Sequence, residues 1–177
     1  KQVKLKVVFY GPALGGKTTS LQHIHRVTDP QRRTKLYALA TAADRTLFFD
    51  LLAVDLGRVR GYRLTLQLYT VPGQVKYNAT RRAVLAGADG VVFVADSQRS
   101  QAAANRESLA NLAENLKANG LDQRSIPTVL LYNKRDLPGA AARQELEQEL
   151  NAGGLPAFDG VAITGQGVME AFAAVTE

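Results

Sequence analysis

Gly11-Pro12-Ala13-Leu14-Gly15-Gly16-Lys17-Thr18 decides how the rest of this chain is read. The run fits G-x-x-x-x-G-K-[ST], a loop that cradles phosphates. Before it, Val3-Lys4-Leu5-Lys6-Val7-Val8-Phe9-Tyr10 reads as a strand; after it, Thr19 to His25 reads as a helix start. Strand, glycine loop and helix N-terminus together make an anion site, because the first N–H groups of a helix have no partner within it. Gly11, Gly15 and Gly16 let the main chain approach phosphate oxygens without a Cβ in the way. Leu14 to Thr19 is the predicted phosphate-binding run: Lys17 brings a full positive charge to the β- and γ-phosphates, and Thr18 offers a hydroxyl to magnesium.

Outward from this loop, strands and helices alternate. Leu47 to Leu56 reads as a strand, Gly57 to Gly61 as a turn, and Tyr62 to Tyr69 as its hairpin partner. A helix is expected from after Gln74 to about Ala86. Gly90 to Asp96 and Pro127 to Tyr132 are continuous apolar runs, as in strands covered on both faces. Helices are expected over Gln101 to Ala118, Ala141 to Leu150 and from Val168 onward, with a short strand at Ala157 to Ile163. This order predicts an α/β fold: a mostly parallel six-stranded sheet with one antiparallel edge strand and helices on both faces, forming a single domain over residues 1–177. Ligands in such sheets bind beyond the carboxyl ends of the strands. The phosphate loop, Val71 to Gln74, Asn133 to Asp136 and Thr164 all follow strands at that end.

In the hairpin strand, Leu47, Phe49 and Leu51 are apolar on one parity and Phe48, Leu52, Val54 and Leu56 on the other. Alternation therefore does not choose the buried face. The strand is either covered on both sides or weakly specified in register and able to slip along its partner.

Bulk composition narrows the function classes. An apolar content of 46% over 177 residues supports one sizeable core. No apolar run is long enough to span a bilayer, and no signal peptide is expected before the first strand. Without cysteine there is no disulfide, thiol chemistry or S-linked lipid anchor, and a cytoplasmic setting is expected. The net charge of +6 is spread along the chain without interleaved aromatics, so neither nucleic acid nor a stable membrane anchor is expected.

Asn133-Lys134-Arg135-Asp136 follows a buried strand and has the N-K-x-D pattern of a guanine reader. A carboxylate at Asp136 can accept from guanine N1–H and the exocyclic amine. Adenine offers neither donor at that edge and would leave the carboxylate unpaired, which makes the discrimination strong. Lys134 can lay its alkyl stem along the base, and Asn133 can brace neighbouring loops.

With both loops in place, the sequence resembles the Ras-like small GTPases over essentially its whole length. Within them it is most similar to the bacterial gliding-motility and cell-polarity GTPases of the MglA type. Asp44-Arg45-Thr46-Leu47-Phe48-Phe49-Asp50, Leu68 to Val75 and Val91 to Ser97 carry that likeness. The resemblance implies a molecular switch that binds and slowly hydrolyses GTP to GDP with magnesium. It also implies a dimeric activating protein of the roadblock type, effectors that read the GTP state, and recruitment to a cell pole. Gln74 matches the glutamine that orients the attacking water, and Gly73 the glycine whose N–H meets the γ-phosphate. Thr46 matches the switch threonine on magnesium. Arg45 is placed as an arginine finger acting in cis, or else as a solvated loop residue. Val161-Ala162-Ile163-Thr164-Gly165 lies at the family's third base loop, with the Ala162 amide facing guanine O6 and Ile163 beside it; Val161 stands where the family has serine. Thr70 stands where the family has the aspartate that anchors a magnesium-bound water. That departure supports a second reading, a non-hydrolysing module stabilised by guanine nucleotide. A third, an ATP-dependent kinase or ATPase, is opposed by Asn133 to Asp136.

Overall fold

A computed structural model describes residues 1–41 and 44–177, leaving the side chains of residues 40–48 outside the description. Among the described residues, seven strands form one sheet: β1 (Gln2–Tyr10), β2 (Tyr37–Thr41), β3 (Asp44–Val59), β4 (Tyr62–Thr70), β5 (Gly90–Asp96), β6 (Thr128–Asn133) and β7 (Ala157–Asp159). Five α-helices of the described residues flank it: α1 (Lys17–Val27), α2 (Asn78–Leu85), α3 (Ala102–Ala118), α4 (Arg143–Leu150) and α5 (Val168–Thr176). The strand order is β2-β3-β4-β1-β5-β6-β7. β1, β4, β5, β6 and β7 pair in parallel, while β3 is antiparallel to both β2 and β4.

The α/β class is as the sequence implies, but the strand count is corrected from six to seven. The antiparallel strand is not at the edge; β2 lies outside it. Tyr-Ala-Leu-Ala-Thr carries little apolar alternation, and its strand character comes from pairing, with Tyr37 opposite Leu51 and Leu39 opposite Phe49.

Period-two alternation sorts the central strands onto two cores. Val7 and Phe9 of β1, Val92 and Val94 of β5, and Val129 and Leu131 of β6 pack with Leu21 and Ile24 of α1 and Phe172 and Val175 of α5. Val8 and Tyr10, Val91 and Phe93, and Leu130 and Tyr132 face the other way, against α2, α3 and α4. Each such side chain, when fully buried, contributes about 1.5–3 kcal/mol. Because both faces of β1, β5 and β6 are covered, their carboxyl ends are held rigidly at one rim.

The ambiguous strand is resolved by packing. Leu52 and Val54 turn into the α1 core beside Leu66 and Leu68. A bulge between Asp55 and Gly57 then breaks the alternation, and Leu56 emerges 37% exposed. The turn is tighter than the sequence suggests: Val59 pairs with Tyr62, and Arg60 and Gly61 both have positive φ (50° and 84°), as a two-residue type I′ turn requires. Leu52→Ala is expected to destabilise the protein by about 2–5 kcal/mol, whereas Leu56→Ala should stay within about 0.5 kcal/mol. Urea unfolding of the two variants at constant GDP checks the assignment of faces.

Candidate functional site

The chain turns out of β1 at Gly11 and enters α1 at Lys17. Gly16, at the helix N-cap, has φ of 109°. A Cβ there would lie 2.0 Å from Asn133 Nδ2, so both conformation and contact require glycine. No side chain caps α1 and no acidic residue occupies its first turn. Its leading N–H groups are therefore available to an anion, and the helix dipole favours one.

Lys17 is 6% exposed and folds back over the loop, its Nζ donating to the Pro12 carbonyl at 2.7 Å and the Gly11 carbonyl at 3.1 Å. Burial, followed by repulsion from Arg81, pulls its pKa down to about 7, against the opposing pull of Asp50. A polyphosphate beside the ammonium would stabilise its charged form.

Asn133 ends β6 and joins the two halves of the site. Its Nδ2 donates to the Gly15 carbonyl at 2.8 Å, and its Oδ1 accepts from the Ala162 N–H at 2.8 Å. Lys134 has φ of 65° and extends its Nζ to Asp96 Oδ2 at 2.7 Å. Around this brace lies a cleft of about 730 Å³. Leu14, Gly15, Gly16, Lys17, Thr18 and Thr19 line its phosphate side, and Lys134, Asp136, Ala162 and Ile163 its other end beside Asn133. Gly73 and Gln74 border it as well. Gly73 presses on the phosphate loop so closely that a Cβ there would lie 2.3 Å from the Ala13 Cα. Gly11 is not in the cleft lining; its carbonyl accepts from Lys17 Nζ at 3.1 Å and from Arg81 Nη2 at 2.9 Å. Arg45 and Thr46 belong to β3, and their side chains lie outside the described residues.

Sequence reasoning missed Asp50. This carboxylate is 8% exposed and accepts from the Thr18 hydroxyl at 2.6 Å and the Thr70 hydroxyl at 2.8 Å. The Asp50 N–H in turn donates to Thr70 Oγ1 at 2.8 Å. A carboxylate absent from position 70 on β4 is thus supplied from the adjacent strand. Its signal lay in the hairpin register: Leu51 pairs with Tyr69, which sets Asp50 beside Thr70. Hydroxyl and carboxylate oxygens suit magnesium, which takes few protein ligands and keeps several waters. The Thr18 hydroxyl and the Asp50 carboxylate, 2.6 Å apart, are donors of that kind and fit the ion.

A sequence profile described as the ADP-ribosylation factor family matches residues 1–177. The mutual gliding-motility protein MglA of Myxococcus xanthus (strain DK1622) is 49% identical over 177 residues, which is 100% of this chain and 91% of that protein. ADP-ribosylation factor-like protein 4D of Bos taurus is 30% identical over 146 residues, 82% of this chain and 66% of that protein. The mouse protein of the same name is 35% identical over 97 residues, 55% of this chain and 45% of its own length.

The Lys17 ammonium gives a pH signature. The folded lysine titrates near 7 and the unfolded one near 10.5, so between those values the unfolded chain binds the extra proton. Stability of the nucleotide-stripped protein should rise with pH across that window. Urea midpoints at pH 7, 8 and 9 should climb for the wild type and lose this component in Lys17→Met. Saturating GDP should flatten it in the wild type.

Proposed function

This chain belongs to the ADP-ribosylation factor family, as a Ras-like small GTPase of the MglA type, and from that premise we propose that it is a slow GTP/GDP switch whose GTP-ordered surface is read by partners in cell polarity or gliding movement. The carrying observation is the Asn133 brace, which places the phosphate loop, the N-K-x-D loop and the Ala162 loop on one cleft. Within it, the amides of Leu14 to Thr19 and the Lys17 ammonium hold the polyphosphate. Asp136 accepts from the guanine edge and Lys134 lies along the ring; because the Ala162 N–H expected at the base carbonyl is held by Asn133 Oδ1, the neighbouring Ile163 amide is the donor that faces that side.

The chemistry that magnesium would supply is neutralisation of the charge that develops on the phosphates. The Thr18 and Thr46 hydroxyls would hold the ion, and Asp50, oriented by Thr70, would accept from its waters. The Thr70 replacement that favoured a non-hydrolysing module therefore leaves the site with its carboxylate. Gln74 orients the attacking water, Gly73 donates its N–H to the γ-phosphate, and Arg45 enters as an arginine finger. Turnover is slow until a dimeric activator of the roadblock type orders Gln74 and Arg45. The name of the 49%-identical relative supports the motility role, and such a role places the protein in the cytoplasm, drawn to a pole by its partners.

Calorimetry with GDP and ADP, followed by phosphate release from GTP, tests the reading. GDP is expected to bind at least 10³-fold (order of magnitude) more tightly than ADP, with Asp136→Asn erasing most of that ratio; equal binding would refute it. Arg45→Ala should lower activator-stimulated turnover on the order of 10³-fold with GDP affinity retained.

Asp50→Asn should weaken the magnesium dependence of nucleotide retention by roughly tenfold, the effect of losing an outer-shell metal partner. Nucleotide release measured against magnesium concentration reads this directly, and an unchanged curve would remove Asp50 from the ion's surroundings.

A further inference from the structure

Arg81 of α2 is fully buried, at 0% exposure. Its Nη2 donates to the Gly11 carbonyl at 2.9 Å and to Ser108 Oγ at 2.8 Å, and its Nη1 to Asn111 Oδ1 at 2.9 Å. The guanidinium carbon lies 4.4 Å from the centroid of the Tyr10 ring. Around it, Tyr10 hydrogen-bonds Asn111, and Asn115 Nδ2 donates to the Tyr10 hydroxyl at 3.0 Å. Asn111 and Asn115 also reach Asn78 Oδ1, each at 2.8 Å, so the cluster closes back onto α2.

Every acceptor of this guanidinium is neutral, and its Nε has no partner among the described residues. Of the carboxylates, Glu107 acts on it only through space. A buried cation without a paired anion is costly. The Gly11 carbonyl that Arg81 grips is also gripped by Lys17. Two cations thus converge on the root of the phosphate loop, one behind it and one along it.

We propose that Arg81 is a positioning residue whose counter-ion is the nucleotide polyphosphate. It ties α2, and with it the loop carrying Gln74, to the root of the phosphate loop. The tie is fully compensated only while phosphate is held in front of that loop, so nucleotide occupancy sets how firmly α2 is docked. A fork is needed because the three acceptors come from β1's exit and two turns of α3, which a single ammonium cannot span. This rests on the guanine-nucleotide reading above and adds the electrostatic link between the phosphates and the helix that follows Gln74.

Competition binding of GMP, GDP and a non-hydrolysable GTP analogue to the full chain, as wild type, Arg81→Met and Arg81→Lys, tests it. Arg81→Met should shrink the affinity gain for each added phosphate by on the order of tenfold, while the GDP-to-ADP ratio stays as in the wild type. Arg81→Lys should keep the gain per phosphate but slow single-turnover hydrolysis, because charge remains and the fork is lost. A uniform drop for all three ligands, or none, would overturn the counter-ion role; normal hydrolysis in Arg81→Lys would overturn the positioning role. Should Arg81→Met fail to fold, hydrogen exchange on the wild type decides. Removing GDP should deprotect the amides of α2 well beyond those of α4, and equal loss would overturn the proposal. A wild type that does not prefer GDP to ADP would instead sink the underlying reading.

Discussion

One amide side chain holds together segments that are far apart in the chain. Asn133 receives the Ala162 N–H on its oxygen and gives its own N–H to Gly15, spanning 29 residues one way and 118 the other. Its approach accounts for the glycine at position 16, since a Cβ there would overlap it. It is itself fixed at the end of β6, a strand buried throughout. Buried hydrogen bonds of this kind are costly to leave half-made. The brace thus makes the phosphate loop and the base loops a single rigid object.

On the opposite side of the phosphate loop, charge is distributed by space rather than by position in a motif. Thr70 occupies the site where the Ras-like resemblance implies an acid, yet an acid is present, set on β3 and shared by the hydroxyls of Thr18 and Thr70. An antiparallel neighbour can deliver a side chain to the same point because directly opposed residues lie only about 5 Å apart. The cations show the same economy. Lys17 and Arg81 meet at the Gly11 carbonyl from different helices, and their mutual repulsion belongs to a site shaped for polyanions.

Much of this was legible beforehand, and the gaps have identifiable causes. The phosphate loop, the N-K-x-D loop and the alternation of strands with helices rest on local spacing, and their residues lie where that spacing puts them. β2 was invisible because a short Ala-rich segment with little apolar alternation carries no strand pattern of its own. The strand expected to reach Ile163 stops at Asp159, since the residues beyond it turn to present the Ala162 amide to Asn133. Asp50 lay inside an expected strand and Arg81 inside an expected helix, with no local pattern to single out either. Only the register of β3 on β4 and the packing of α2 on α3 bring them to the site.

What the amino-acid order determines alone is therefore local: which residues can bend a loop around phosphate, which can read a guanine edge, and which stretches must be buried on both faces. These follow from glycine's missing Cβ, from hydrogen-bond chemistry and from apolar periodicity. Tertiary structure decided the rest: the seventh strand, the inward parity of Leu52 and Val54, the carboxylate that stands in at Thr70, and the buried guanidinium behind the loop. Each depends on which distant atoms become neighbours, and burial turns that neighbourhood into energy.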